Sequence, residues 1–153
     1  MRPQLAIGLG NPLMGDDGVG CVVAQRLADD PRLPATVEVI CGGTDLLRHA
    51  RQMERRSRVI VIDAIRDDAE IGSVSIFEEA GAELDQLQQH AHHLSAAQSI
   101  RLLQMTIPAR FLLLAISVDA AGAAAGLSPV LTARIPAILD RVLSELRGNG
   151  RLP

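Results

Sequence analysis

Two acidic residues stand in a glycine-rich turn near the start of the chain. The segment GLGNPLMGDDGVG, residues 8–20, follows an apolar run and contains Asp16 and Asp17. Glycine-rich turns before a helix often bind phosphate, but two carboxylates there would repel a phosphate and attract a cation. Asp17 is therefore a candidate metal ligand, whereas Asp16 is expected to be the N-cap of the helix that follows.

A third carboxylate and a histidine cluster extend this candidate set. Asp63 ends the apolar run RVIVID, residues 58–63, where a charge is costly unless it has a partner. The segment HAHH, residues 90–93, lies just before a predicted helix that starts near Ser95. Two carboxylates and one imidazole suit Zn, Ni or Fe(II) better than Mg or Ca, which prefer oxygen ligands alone.

These residues need a scaffold that brings them together, and the order of the predicted elements supplies one. Short apolar runs predict five strands, at residues 5–9, 36–40, 58–63, 73–77 and 111–118. Amphipathic segments predict helices over residues 16–28, from a Thr44 cap to Met53, from a Ser95 cap through Leu103, and from Ser128-Pro129 to Gly148. This alternation predicts an α/β three-layer sandwich, with a mostly parallel five-stranded sheet and helices on both faces. We expect a single domain over residues 1–153.

The order of the strands decides whether the candidate residues meet. In open parallel sheets, sites form outside the carboxyl ends of the strands, where the strand order reverses. If the first strand lies between the second and the third, Asp17 and Asp63 flank that point. Cys41, which closes the second strand, then shares the same edge.

Composition excludes several classes of function. The net charge of -3 and the absence of Trp and Tyr argue against nucleic acid as a partner. All 15 cationic residues are Arg, which excludes a Schiff-base lysine. No apolar run approaches the ~20 residues that span a membrane. With no secretory signal visible, we expect a cytoplasmic protein in which Cys21 and Cys41 are free thiols.

Three alternative functions remain to be weighed against a metal-dependent enzyme. The GLGNPLMG segment superficially fits a dinucleotide fingerprint, but Cys41 stands where that fold needs an acid to hold the ribose. A Cys-His peptidase that uses Cys41 is a second alternative, although no orienting third residue is evident. A non-enzymatic accessory protein or chaperone that binds a metal such as nickel is the third, because the same ligands can carry a metal as well as use it.

Segments along the whole chain fit one family. Besides the opening GLGNPLMGDDGVG, they are CGGTDLL (41–47), VIVIDAI (59–65), HHLSAAQSIRLL (92–103) and GLSPVL (126–131). In that order, and from the first strand to the last helix, the chain resembles the hydrogenase maturation endopeptidases. The GLGNP opening is also similar to peptidyl-tRNA hydrolase, but that family needs a histidine soon afterwards and a basic surface.

The resemblance implies removal of the C-terminal extension of a [NiFe]-hydrogenase large-subunit precursor after nickel insertion, with the substrate's nickel used for recognition. It makes Asp17, Asp63 and His92 the catalytic and metal-binding residues. His92 is preferred over His93 because Leu94-Ser95 then matches the family's apolar-small pair. Zn or Cd is expected to occupy the site in the isolated protein. The implied partner is that precursor, and we expect a monomer that binds neither nucleic acid nor membrane. The family commonly has Asp near the position of Cys41.

Overall fold

The computed structural model of the protein describes residues 3–78, 94–119 and 125–148. The five strands are β1 (Gln4–Gly8), β2 (Val37–Cys41), β3 (Arg58–Ile65), β4 (Val74–Phe77) and β5 (Arg110–Ser117). The α-helices in these ranges are α1 (Val19–Ala28), α2 (Ala50–Met53), α3 (Ala96–Gln104) and α4 (Pro129–Arg147). Two short 3-10 segments, Pro12–Gly18 and Leu46–His49, precede α1 and α2.

The strands form one sheet in the order β2-β1-β3-β5-β4. All pairings are parallel except that of β4, which runs antiparallel to β5. Gly8, at the end of β1, lies opposite Cys41 on one side and Ile62 on the other. The predicted α/β fold is confirmed, and so is the strand order that places the candidate aspartates at one edge.

Helices cover both faces of the sheet, as a three-layer sandwich requires. One apolar core joins α1 and α4 to the face that includes Ala6, Ile60 and Ile62. The other joins α2 and α3 to the face that includes Leu5, Ile7 and Val61. All eight residues of β3 are buried, because this strand lies at the centre of the sheet between the two cores.

Two of the four predicted helix caps, both serines, are correct. Ser95 caps α3 and forms a reciprocal capping box with Gln98, and Ser128 caps α4. Thr44 was the wrong residue for the segment before α2. Asp45 caps it instead, because its carboxylate accepts a hydrogen bond from the backbone N–H of Leu47 at 3.1 Å.

The third strand extends beyond Asp63, which was predicted to be its last residue. Its pairing with β5 continues through Asp63 and Ala64 to Ile65. The last residue of the strand is bonded as well, since the backbone N–H of Val118, directly after β5, donates to the carbonyl of Ile65 at 2.9 Å. Asp63 therefore lies inside a buried strand instead of at its exposed tip.

The prediction that both cysteines are free thiols is wrong, because Cys21 and Cys41 form a disulfide. Cys21 lies in the first turn of α1, and its backbone N–H donates to the carbonyl of Leu9 at 3.1 Å. Cys41 pairs with Gly8 at the end of β1. Both cysteines are thus held against the end of β1, and their Cα atoms are 5.2 Å apart, within the range that disulfides require.

Within the described ranges, no helix combines the length and the apolar character that a membrane crossing needs.

Candidate active site

The turn after β1 folds back on itself so that Asp17 lies beside the end of the strand. Gly10 has φ +115°, a conformation that favours glycine, and its N–H donates to the carbonyl of Gly43 at 2.8 Å. A Cβ atom at Gly10 would lie 2.2 Å from the carbonyl oxygen of Asp17. The glycine therefore permits the close contact that returns the chain to the sheet edge.

A second glycine sets the start of α1 directly on the strands. A Cβ atom at Gly20 would lie 2.2 Å from the carbonyl oxygen of Ile62 and 2.3 Å from that of Leu9. The first turn of α1 consequently packs against the ends of β1 and β3 with no side chain between them. The glycines of this segment thus serve close backbone packing, and the acidic residues define the chemistry of the turn.

Asp16 does not cap α1 as predicted. The N-cap of α1 is Gly18, which makes no side-chain capping bond. The Asp16 carboxylate instead accepts hydrogen bonds from the backbone N–H of Ser128 at 2.7 Å and from its hydroxyl at 2.8 Å. A bond of 3.1 Å from the N–H of Gly126 to the carbonyl of Pro12 joins the same two segments. Asp16 therefore ties the turn to the start of α4.

Asp17 points to the side of the sheet where the parallel strands have their carboxyl ends, which we call the carboxyl edge. It forms an ion pair there. Its Oδ2 atom accepts a hydrogen bond from a guanidinium nitrogen of Arg66 at 2.7 Å. The Asp17 side chain is 23% exposed and that of Arg66 is 40% exposed. Arg66 follows the last residue of β3. The ion pair therefore spans the ends of two neighbouring strands.

Asp63 lies deeper in the same edge and is only 5% exposed. Burial raises the pKa of Asp63 to about 7, and the negative charge of Asp17 adds to the increase. The backbone N–H of Ala64, which donates to Asp63 Oδ1 at 2.8 Å, opposes it. Because alternate residues of a strand share a face, Asp63 lies on the same side as Val61, on the face covered by α2 and α3.

The third predicted ligand, His92, lies outside the described residues, as does His93. The described chain resumes at Leu94, directly before the Ser95 cap of α3. Within the described ranges, no three His, Cys, Asp or Glu side chains lie close enough to hold a metal ion. The structure thus brings Asp17 and Asp63 to one edge, and the three-residue site stays a prediction.

Cys41 shares this edge but carries no thiol, because its sulfur is bonded to Cys21. Cys41 is exposed, whereas Cys21 is buried. A Cys-His peptidase needs a thiolate nucleophile. The alternative that assigned this role to Cys41 therefore has no nucleophile in this structure.

Sequence reasoning missed Arg66, the side chain that pairs with Asp17. Its position one residue beyond the strand was a usable signal, because side chains that follow a parallel strand gather at the carboxyl edge. The chemistry of the edge is now defined by a half-buried carboxylate, a buried carboxyl group of raised pKa and a permanent cation. An added cation at this edge would relieve the repulsion between Asp17 and Asp63.

Comparison with known protein families gives one match that spans most of the chain. The sequence model of the family described as hydrogenase maturation protease matches residues 21–145. The chain is also similar to the hydrogenase 2 maturation protease of Escherichia coli K12. The two are 28% identical over 150 residues, which cover 95% of this chain and 92% of that protein.

Solved structures show the same likeness. The hydrogenase maturating endopeptidase HybD from E. coli superposes with a TM-score of 0.78 at 29% identity, covering 98% of this chain and 94% of that one. The [NiFe] hydrogenase maturation protease HycI from Thermococcus kodakarensis KOD1 has a TM-score of 0.75 at 19% identity, covering 95% and 92%. At 19% identity, the second comparison supports the fold alone.

Proposed function

This chain belongs to the hydrogenase maturation protease family and is a peptidase, and we propose that it trims the C-terminal extension of a [NiFe]-hydrogenase large-subunit precursor. In this proposal the nickel is part of the substrate, and cleavage follows its insertion. Asp17, Asp63 and His92 are the side chains that contact the metal. The pair of aspartates at the carboxyl edge is the observation that carries the proposal.

The electrostatics of that edge suit a cation delivered by a substrate. Asp63 is buried beside a second acid, and its pKa is raised to about 7. A divalent cation favours the ionised form of both carboxylates and so offsets the unfavourable burial of Asp63. Binding of the cation should therefore release the proton that Asp63 holds in the metal-free protein.

The ligand set suits recognition of the nickel in the precursor better than its extraction from the precursor. Carboxylate and imidazole ligands lack the softness of thiolates, so they should not extract nickel from a cysteine-rich centre in the precursor. They add binding free energy only when the precursor is loaded. A contribution of ~3 kcal/mol would favour the loaded form by roughly two orders of magnitude.

Exposed apolar side chains next to the acidic turn suit a protein substrate. Leu13 and Met14 belong to the same 3-10 segment as Asp17, and both are exposed. Leu94, which directly precedes the cap of α3, is exposed as well. Exposed apolar side chains that group together often mark surfaces that bind other proteins. We assign these three side chains to contact with the precursor.

The proposal is tested by incubating the protein with nickel-loaded and nickel-free candidate precursors and measuring the C-terminal tail by mass spectrometry. We expect cleavage of the loaded form and none of the empty form, together with tight binding of the loaded form in titrations. Equal affinity and equal cleavage rates for both forms would show that the acidic edge does not read the metal. Peptidase activity of the family would then stand without nickel recognition.

A further inference from the structure

Arg66 occupies a position that the proposed reaction leaves without a role. Its guanidinium lies 2.7 Å from Asp17 Oδ2, on the carboxylate assigned to the metal. In the part of the chain that the structure describes, Arg66 is the cation that pairs with Asp17. A metal that binds Asp17 through the same oxygen atom therefore has to replace Arg66.

We propose that Arg66 is a selectivity residue. Its guanidinium pairs with Asp17 in place of a metal ion and so weakens the binding of free divalent metal ions. This inference rests on the proposed function, since it concerns the same carboxylate. The Arg66 guanidinium occupies the carboxylate oxygen that a metal ion would need, which makes it a competitor of that ion. The consequence for the enzyme is protection from free cations that would occupy the edge and block a loaded precursor.

The strength of the ion pair fits a competitor that yields to the right substrate. Both side chains are partly exposed, at 40% for Arg66 and 23% for Asp17, so solvent screens their attraction. Pairs of this kind change an affinity by a few-fold only. A metal presented by a docked precursor gains from the whole protein contact and displaces Arg66, whereas a free ion in dilute solution has no such support.

Arg66 also differs from the other exposed arginine pairs of the protein in its surroundings. The pair of Arg110 and Glu78 lies at the opposite edge of the sheet, at the first residue of β5. Arg110 is 49% exposed, close to the value for Arg66, but it is remote from both candidate aspartates. It therefore provides a matched control for the loss of one paired arginine.

The test uses the full chain and free Ni²⁺ or Cd²⁺ as the probe. Calorimetric titration compares the wild type with four variants: Arg66→Met, Arg66→Gln, Arg66→Lys and Arg110→Met. We expect Arg66→Met and Arg66→Gln to bind the free ion about threefold to tenfold more tightly, from loss of the pair and of the repulsion by its charge. Arg66→Lys and Arg110→Met should bind as the wild type does. The concentration of free Zn²⁺ that halves cleavage of the loaded precursor should fall by the same factor in Arg66→Met.

Two outcomes would overturn the role of Arg66. One is an unchanged metal affinity in Arg66→Met and Arg66→Gln, including no measurable binding in any variant. The other is an equal gain in Arg110→Met, which would reduce the effect to net charge. Failure of the proposed function is seen separately, as absence of cleavage of a loaded precursor by the wild type. In that case, tighter binding of free Ni²⁺ or Cd²⁺ by Arg66→Met would still show that Arg66 competes with the metal ion for Asp17.

Discussion

The carboxyl edge and the amino edge, where the parallel strands begin, each bury an ionisable residue. The partners of these two residues are opposite in kind. At the amino edge, Arg58 is 7% exposed. It forms an ion pair with Glu145 and donates to the Glu145 carbonyl at 2.9 Å and to Gln4 at 3.3 Å. At the carboxyl edge, Asp63 is 5% exposed and has a second acid as its neighbour.

This difference separates a charge that supports the fold from a carboxyl group that we propose acts at the site. Arg58 is neutralised by an acid and bound by several oxygen atoms, so its burial joins the start of β3 to the end of α4. Burial and a like charge raise the pKa of Asp63 to about 7, an arrangement in which its ionised form costs stability. Such perturbed acids cluster at functional sites, because chemistry there requires a group that native packing does not favour.

The largest effect is expected from the three residues that we propose contact the metal. Asp17→Asn, Asp63→Asn and His92→Ala should each reduce cleavage of a loaded precursor at least about a hundredfold while the fold is kept. His93→Ala is the matched control and should be much milder. The measurement is the rate of tail release by mass spectrometry, with circular dichroism for the fold. Normal cleavage by one variant would remove that residue from the site, and an inactive His93→Ala would shift the ligand by one position.

At the amino edge we expect a loss of stability without a loss of chemistry. Arg58→Met leaves Glu145 without its ion-pair partner and should lower the free energy of unfolding by about 3 kcal/mol. Arg110→Met, at the neighbouring position in the register, breaks an exposed pair and should cost at most about 1 kcal/mol. Urea denaturation measures both. Equal stabilities would show that the amino edge does not depend on its buried charge.

The carboxyl edge has a covalent support in the Cys21–Cys41 disulfide. The bond links residues 20 positions apart, and its loss should lower the free energy of unfolding by about 2–3 kcal/mol. Reductant should destabilise the wild type by this amount and leave Cys41→Ser unaffected. Cleavage by Cys41→Ser should persist, because Cys41 supplies no nucleophile. Complete inactivation together with a covalent substrate adduct on Cys41 in the wild type would contradict this.

The raised pKa of Asp63 predicts how stability depends on pH. Because its pKa is about 7 in the folded chain and 3.8 ordinarily, the native state holds an extra proton between these values. The stability associated with that proton is complete below the ordinary pKa and is lost as the pH rises through 7. Relative to Asp63→Asn, which does not titrate, the wild type should lose about 2–3 kcal/mol between pH 5 and pH 8. Thermal unfolding of both proteins across this range is the measurement, and parallel curves would refute the raised pKa.

The smallest effect is expected from the apolar side chains beside the site. Leu13→Ser should raise the KM for the loaded precursor by about threefold to tenfold with little change in kcat, because it removes a contact made equally in ground and transition states. Met105→Ser is the control, since Met105 is 79% exposed against 73% for Leu13 and follows the end of α3, away from the acidic turn. An equal change in KM for both variants would mean that the precursor does not dock specifically at the carboxyl edge.

Most of the fold followed from local patterns in the chain. Apolar runs and amphipathic segments predicted the five strands and the helices α1, α3 and α4. Ser95 and Ser128 were recognised as caps because a cap depends on residues within one turn. The errors at the ends of elements arose where two adjacent residues fit the same pattern equally well. Asp45 displaced Thr44 as a cap, and β3 continued two residues past Asp63.

The sequence by itself predicted that Asp17 and Asp63 share one edge, on the condition that β1 lies between β2 and β3, and the sheet meets that condition. The glycine-rich turn follows the first strand, and parallel strands of this order end on the same side. Only the tertiary structure decided which distant groups touch. Asp16 bonds to Ser128, Asp17 to Arg66 and Cys21 to Cys41, and these partners are 112, 49 and 20 positions apart. Periodicity reports which face of an element is buried, but a contact between elements depends on how the helices and turns pack across the finished sheet.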